Sequence, residues 1–158
     1  MVSVPNILAA VEPLISLMYV SSAARLFSEK DILEILRVSR INNERLGITG
    51  MLLYHEGSFL QILEGPKFEV SKKADEIELD SRHRGMLRLV TKAEEVRQFP
   101  GWSMGFCNLN EIPEEDRAAF SPYLTSSVLD EKFLKEPAVC YRLLCAFKKT
   151  LRLYAGAE

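Results

Sequence analysis

The chain is poor in the residues from which most catalytic and metal centres are built. It has two histidines, His55 and His83, and three cysteines, Cys107, Cys140 and Cys145. No C-x-x-C pair occurs, and an odd number of thiols does not close into a disulfide framework. Neither a structural zinc nor a stapled secreted scaffold therefore fits. Reduced thiols in a cytoplasmic protein are the simplest reading. G-x-S-x-G, the Walker loop and G-x-G-x-x-G are also missing, which removes the common serine hydrolase and nucleotide-cradling patterns. No sign of charge dominates: Lys and Arg are scattered and the net charge is -2, so the basic face that a nucleic-acid partner requires is not expected. No uninterrupted apolar run reaches the ~20 residues of a membrane span. Pro5, Glu12 and Pro13 break the apolar N-terminal stretch and no Lys or Arg precedes it, so a signal peptide is not expected either.

What is present is enough apolar residue to build a core, 47% of 158 residues, a length that suits one domain. Residues 14–20 read as a buried first strand with Ile15, Leu17 and Tyr19 on one face. Ser28 is a candidate helix N-cap with Asp31 three residues on, and Gly47 is a natural stop. Between them Ile32, Ile35, Leu36, Ser39 and Asn43 form a helical stripe that begins apolar and ends polar. Residues 48–54 and 58–64 read as a hairpin turning at His55-Glu56-Gly57, where His55 is expected to face solvent. Pro66 opens a second helix to about Leu79, with Val70, Ala74 and Ile77 inward. Strands follow at 86–92 and 101–107, the latter with Trp102, Met104 and Phe106 alternating against Ser103, Gly105 and Cys107.

This order, βαββαββ, predicts an α+β sandwich of the ferredoxin-like kind with two helices on one sheet face. Residues 107–158 are predicted to cover the other face with helices, a short one at 114–120 and a longer one from Pro137 whose stripe is Cys140, Leu143, Leu144, Phe147, Leu151 and Tyr154. Glu114, Glu115 and Asp116 read as the solvated start of the short helix.

Three polar residues break the apolar faces: Tyr19, Asn43 and Gln61. A buried polar group without a partner costs about 1–3 kcal/mol. A tyrosine alone finds a backbone partner easily, but Gln61 brings two donors and two acceptor lone pairs onto an apolar strand face. In the predicted fold all three meet in one volume, Tyr19 and Gln61 on neighbouring strands and Asn43 on the helix above. That conjunction favours a ligand with an amide-like edge.

The segments that carry these residues resemble a known family. Met18-Tyr19-Val20-Ser21-Ser22-Ala23, Ser39-Arg40-Ile41-Asn42-Asn43, Gly47 to Tyr54, Gly57 to Gly65, Asp80-Ser81-Arg82-His83 and Trp102-Ser103-Met104-Gly105-Phe106 are together similar to the BLUF domain of blue-light photoreceptors. The resemblance runs in order from Leu14 to Phe106, with 1–13 as an N-terminal extension and 107–158 as a C-terminal one. It implies non-covalent FAD between the two helices. It also implies roles: Tyr19 as light-driven electron and proton donor, Gln61 as the relay between that hydroxyl and the flavin edge, and Asn43 as anchor of the pyrimidine edge. Ser39 and Asn42 would be its neighbours, Arg82 and His83 would lie at the ribityl-phosphate side and the open flank of the ring, Asp80 of the same segment would also touch the cofactor, and Trp102 and Met104 would report the glutamine switch outward.

The implied protein is a photosensor without turnover that signals through the fifth strand and the C-terminal helices to a separate partner chain or a homo-oligomer interface. A small flavin-dependent oxidoreductase or electron carrier is the rival reading. An acyl-phosphate hydrolase of the same fold would need an anion-cradling loop, for which residues 21–27 offer only Arg25.

Overall fold

The computed structural model describes residues 12–55 and 57–108. The elements are β1 (Leu14–Ala23), α1 (Glu29–Leu46), β2 (Thr49–His55), β3 (Ser58–Pro66), α2 (Lys67–Leu79), β4 (His83–Ala93) and β5 (Gly105–Asn108). They form a five-stranded mixed sheet in the order β4-β1-β3-β2-β5, the ferredoxin-like α+β arrangement that the pattern predicts. The predicted C-terminal helices and the N-terminal extension up to residue 11 lie outside the described residues.

Local chemistry sets the ends of α1. Ser28 Oγ accepts from the Asp31 N–H at 3.2 Å, and Asp31 Oδ2 accepts from the Ser28 N–H at 3.1 Å, a reciprocal capping box. Such caps contribute about 1 kcal/mol. At the other end Gly47 adopts φ 71°, and its N–H returns to the carbonyls of Asn43 and Glu44. The chain then turns directly into β2. Pro66 sits one position before α2 as its cap residue, with no side-chain bond to offer.

The register puts Ile15, Leu17 and Tyr19 opposite Gly65, Leu63 and Gln61 across β1 and β3. Leu52 of β2 continues the row beside Gln61. This face packs against Ile32 and Leu36 of α1 and Val70 and Ala74 of α2 in one core. Arg88 of β4, opposite Tyr19, donates to Asp75 and Glu78 of α2 at 2.7 and 3.2 Å and pins that helix over the sheet. The opposite face is buried too: Met18, Val20, Leu53, Leu60 and Ile62 are all closed to solvent.

Two strand boundaries differ from the sequence pattern. β4 begins at His83, three residues earlier than its apolar alternation suggests, because backbone pairing with Ser22 and Ala23 continues past the apolar part. β5 begins only at Gly105. The run from Trp102 looks like strand by alternation, but the Phe99 carbonyl accepts from the Trp102 N–H at 3.3 Å, and Gly101 has φ 79°. Pro100-Gly101 is therefore the centre of a type II turn, and the chain cannot enter the sheet until that turn has closed.

Candidate functional site

A cleft opens between α1 and α2 above the centre of the sheet. It consists of two adjoining cavities that share Ser39, Ile77, Asp80 and Arg82. Tyr19 and His83 line the first, while Asn42, Asn43 and Gln61 line the second. The eight residues expected to touch a cofactor thus come from β1, α1, β3, the α2–β4 connection and the start of β4, and the fold brings all of them to one cleft.

Its floor is a hydrogen-bonded chain. Tyr19 and Gln61 are direct cross-strand partners, and the Tyr19 hydroxyl donates to Gln61 Oε1. Gln61 Nε2 in turn donates to the sulfur of Met104 at 3.3 Å. All three side chains are buried. Burial, with the Asp80 carboxylate adding to it, pushes the Tyr19 hydroxyl well above the ordinary tyrosine pKa. Tyr19 is therefore a firmly protonated donor in this arrangement.

The last turns of α1 hold the segment before β5. Asn43 Nδ2 donates to the Ser103 carbonyl at 2.8 Å, and Arg40 Nε donates to the Met104 carbonyl at 2.9 Å. From β2, the Gly50 N–H donates to the Trp102 carbonyl at 2.9 Å. These backbone attachments were not visible in the sequence, where Arg40 reads only as a charged residue beside Asn43.

Alternation predicts that Trp102 and Met104 share a strand face, but they do not, because the strand starts after both of them. Met104 is buried within the helix-side core. Gly105 is in register with Met51, whose side chain belongs to the other face. A Cβ on Gly105 would come within 2.1 Å of Trp102 Cε3, so the indole occupies that opposite side. Met104 points in toward Gln61 and Trp102 packs away from it.

At the cleft mouth Arg82 makes a two-pronged pair with Asp80, with Nη2 to Oδ2 at 2.6 Å and Nε to Oδ1 at 3.0 Å. The Arg82 contacts hold the Asp80 carboxyl below the usual carboxylate range, against partial desolvation. The His83 ring bonds the Ile77 carbonyl through Nε2, and its ring lies 6.4 Å from that of Tyr19.

Glu64 was missed as a candidate. It is a fully buried carboxylate at the end of β3, and its oxygens accept from the Gln98 and Phe99 N–H groups at 2.7–3.0 Å. The sequence signal was an acid directly after the apolar run Leu60 to Leu63, broken only by Gln61.

A small α+β domain with a polar-floored cleft between two helices, closed beneath by a tyrosine–glutamine pair, is a ligand-binding module in its architecture. The chain belongs to the BLUF family: residues 14–105 match the family described as sensors of blue light using FAD. FAD is the chromophore of that family, and the residues here fit it. The cleft offers amide, hydroxyl and guanidinium groups around one volume, from Asn42, Asn43, Gln61, Ser39, Tyr19 and Arg82, and Ser21 Oγ on the same sheet face is buried with no partner among the described residues.

A photoactivated adenylate cyclase subunit beta of Euglena longa is 36% identical over 110 residues, which is 69% of this chain. A photoactivated adenylate cyclase subunit alpha of Euglena gracilis is 43% identical over 74 residues. The matched parts amount to only 12% and 7% of those long proteins. Among solved structures, the dark state of the BLUF protein BlrB superposes with a TM-score of 0.72 at 34% identity, covering 85% of this chain and 97% of that one. A bacterial light-regulated adenylyl cyclase gives a TM-score of 0.69 at 35% identity, with 39% of its chain covered. No helix among the described residues is long and apolar enough to cross a membrane.

Proposed function

We propose that this blue-light sensor works as a hydrogen-bond switch whose moving part is the Gln61 amide, and that it turns over no substrate. The observation that carries this reading is the continuous chain from the Tyr19 hydroxyl through Gln61 to the Met104 sulfur. It joins the floor of the cleft to the residue that precedes β5.

When bound, FAD supplies blue-light absorption, an electron acceptor and a ring edge that exchanges hydrogen bonds. Asn43 and Asn42 would hold the polar edge of that ring, Ser39 would lie beside them, and Arg82, with Asp80 and His83 around it, would hold the phosphate side. Tyr19 keeps its proton in the dark, because burial disfavours the phenolate. Gln61 carries a donor and an acceptor on one rotatable amide. In the present orientation its oxygen faces Tyr19 and its N–H faces Met104. Turning the amide over exchanges those ends, whereas moving its proton makes the oxygen a donor and leaves the nitrogen one hydrogen and a lone pair. A thioether is a weak acceptor and has no proton to give, so the Met104 contact is lost in the exchanged state. The Ser103 and Met104 carbonyls stay attached to α1, so the displacement passes into β5 and its neighbour β2. A local hydrogen-bond change thereby biases a larger element.

In the cyclase relatives a domain of this family belongs to a much longer protein. For this chain the proposed receivers are residues 107–158, then a separate partner chain or a homo-oligomer interface in the cytoplasm.

Absorption spectra of the purified protein before and after blue light test the proposal. The expected result is a flavin spectrum with a small red shift that reverses in the dark without bleaching. Bleaching that consumes an added reductant would favour the flavin oxidoreductase instead.

A further inference from the structure

We infer that Glu64 is a positioning residue for the switch: its buried carboxylate anchors the chain entering β5, and through a rigid turn it sets the seat of Met104 against Gln61. The inference rests on the proposed switch and concerns a group that the switch itself does not use.

Glu64 and Gln61 lie on the same strand three residues apart, so they face opposite sides of the sheet. Gln61 looks into the cleft. Glu64 looks away from it and is fully buried. An acid there is expensive, and desolvation pushes its pKa up. What offsets the cost is a fit that few side chains can make. Oε1 accepts from Gln98 N at 3.0 Å and from Phe99 N at 2.7 Å, and Oε2 accepts from Gln98 N at 2.8 Å. Arg97 secures the same place, with Nη1 to Thr49 Oγ1 at 2.9 Å and to the Glu64 carbonyl at 3.1 Å, and Nη2 to the Gly47 carbonyl at 2.7 Å.

From Phe99 the link to the switch has no slack. Phe99 is fully buried. The type II turn at Pro100-Gly101 ties its carbonyl to the Trp102 N–H, and the Trp102 carbonyl is held by Gly50. Proline fixes φ at the first corner of that turn, and glycine takes the positive φ at the second. Two residues later comes Met104. The Glu64 carboxylate is therefore one fixed end of a short strut, Asn43 and Arg40 of α1 hold its far end at the Ser103 and Met104 carbonyls, and Met104 is the part that meets the switch.

The test uses the full chain with FAD bound and methyl-labelled methionine, the Met104 signal being assigned by its disappearance in Met104→Leu. Glu64→Gln keeps the size and one acceptor but turns an amide NH₂ toward a backbone N–H. It is expected to retain the red shift, displace or broaden the Met104 methyl signal, and change the dark-recovery rate by about threefold or more, the scale on which mutations along a contact network alter coupling. Inserting one glycine after Gly101 leaves Glu64 and its partners untouched but puts slack in the strut, and is expected to do the same. Val20→Ala, a modest core loss on the sheet face opposite Met104, should leave both readouts at parental values; a shift of equal size there would reduce Glu64 to general stability. Parental values of both readouts in a folded Glu64→Gln overturn the inference, and so do parental values in the insertion variant if Glu64→Gln does not fold. A parent protein that shows no red shift sinks the photosensor reading itself. The Met104 methyl signal in darkness still reports on the strut in that case.

Discussion

Tyr19 and Gln61 face each other directly across β1 and β3, and the tyrosine hydroxyl donates to the glutamine carbonyl oxygen. Both side chains are buried, so a change at one is felt at the other. Tyr19→Phe keeps the ring and removes only the hydroxyl. FAD is expected to stay bound, since packing hardly changes, and the light-induced red shift to disappear. The same variant has a pH signature. Because the folded pKa of Tyr19 is raised above the unfolded value of about 10, its contribution to stability is complete below that value and is lost as pH rises toward the folded one. Thermal unfolding between neutral and strongly alkaline pH should therefore fall more steeply in the parent than in Tyr19→Phe. A variant that still forms the shifted state would remove Tyr19 from the switch.

Gln61→Leu keeps the volume and deletes both ends of the relay. The Tyr19 hydroxyl then lies buried without its acceptor, a loss of about 1–3 kcal/mol in stability. The flavin band should already be displaced in darkness and should not respond to light. A normal photocycle in this variant would assign the relay to another residue.

Much of this site was legible in the sequence, for a local reason. Tyr19 and Gln61 each interrupt an apolar strand face of period two, and Asn43 ends an apolar helical stripe. Such breaks stand out against their own neighbours. The residues that escaped notice are bonded to partners far along the chain. Glu64 reads as the polar end of a strand until Gln98 and Phe99, more than thirty positions later, fold over it. Arg40 looks like a solvated charge until the Met104 carbonyl reaches it. The misplaced start of β5 had a different cause. Residues Trp102 to Phe106 alternate like a strand, but the Pro100-Gly101 turn decides where hydrogen bonding to β2 can begin.

Arg82 is paired with Asp80 at the cleft mouth. Arg82→Ala should weaken FAD retention, measured as flavin lost on dialysis, because the cleft loses the cation best placed for the phosphates. Retention equal to the parent's would move that contact to Arg40 or Arg84. The pair also predicts an acid limb. The folded pKa of Asp80 is depressed, chiefly by the hydrogen bond from Arg82, so the stabilisation is present above the ordinary carboxylate pKa and is lost as pH falls through the folded one. Asp80→Asn should flatten that part of the stability profile.

Met104→Ala removes the sulfur that Gln61 reaches but leaves Tyr19 and Gln61 in place. The red shift should survive, while hydrogen exchange of residues 137–154, compared in dark and light, should lose its light-dependent part. An equal light response in parent and variant would mean that the signal leaves by another route.

The last prediction separates Trp102 from Met104. The Trp102 indole lies where a side chain on Gly105 would begin: a Cβ there would stand 2.1 Å from Cε3 and 2.6 Å from Cζ3. Real contacts do not close to that distance, so Gly105→Ala must drive the ring out, and overpacking of this kind costs about 1–3 kcal/mol. Trp102 is the chain's single tryptophan, so its fluorescence reports on this one position. Emission is expected to move to longer wavelength as the ring gains solvent. Met104 faces the other side of the sheet, so the Gln61 contact and the dark flavin spectrum should not change. If the flavin spectrum moved together with the tryptophan emission, the indole would have to lie on the cleft side with Met104, and the two residues would act as one packing unit instead of on opposite faces of the sheet.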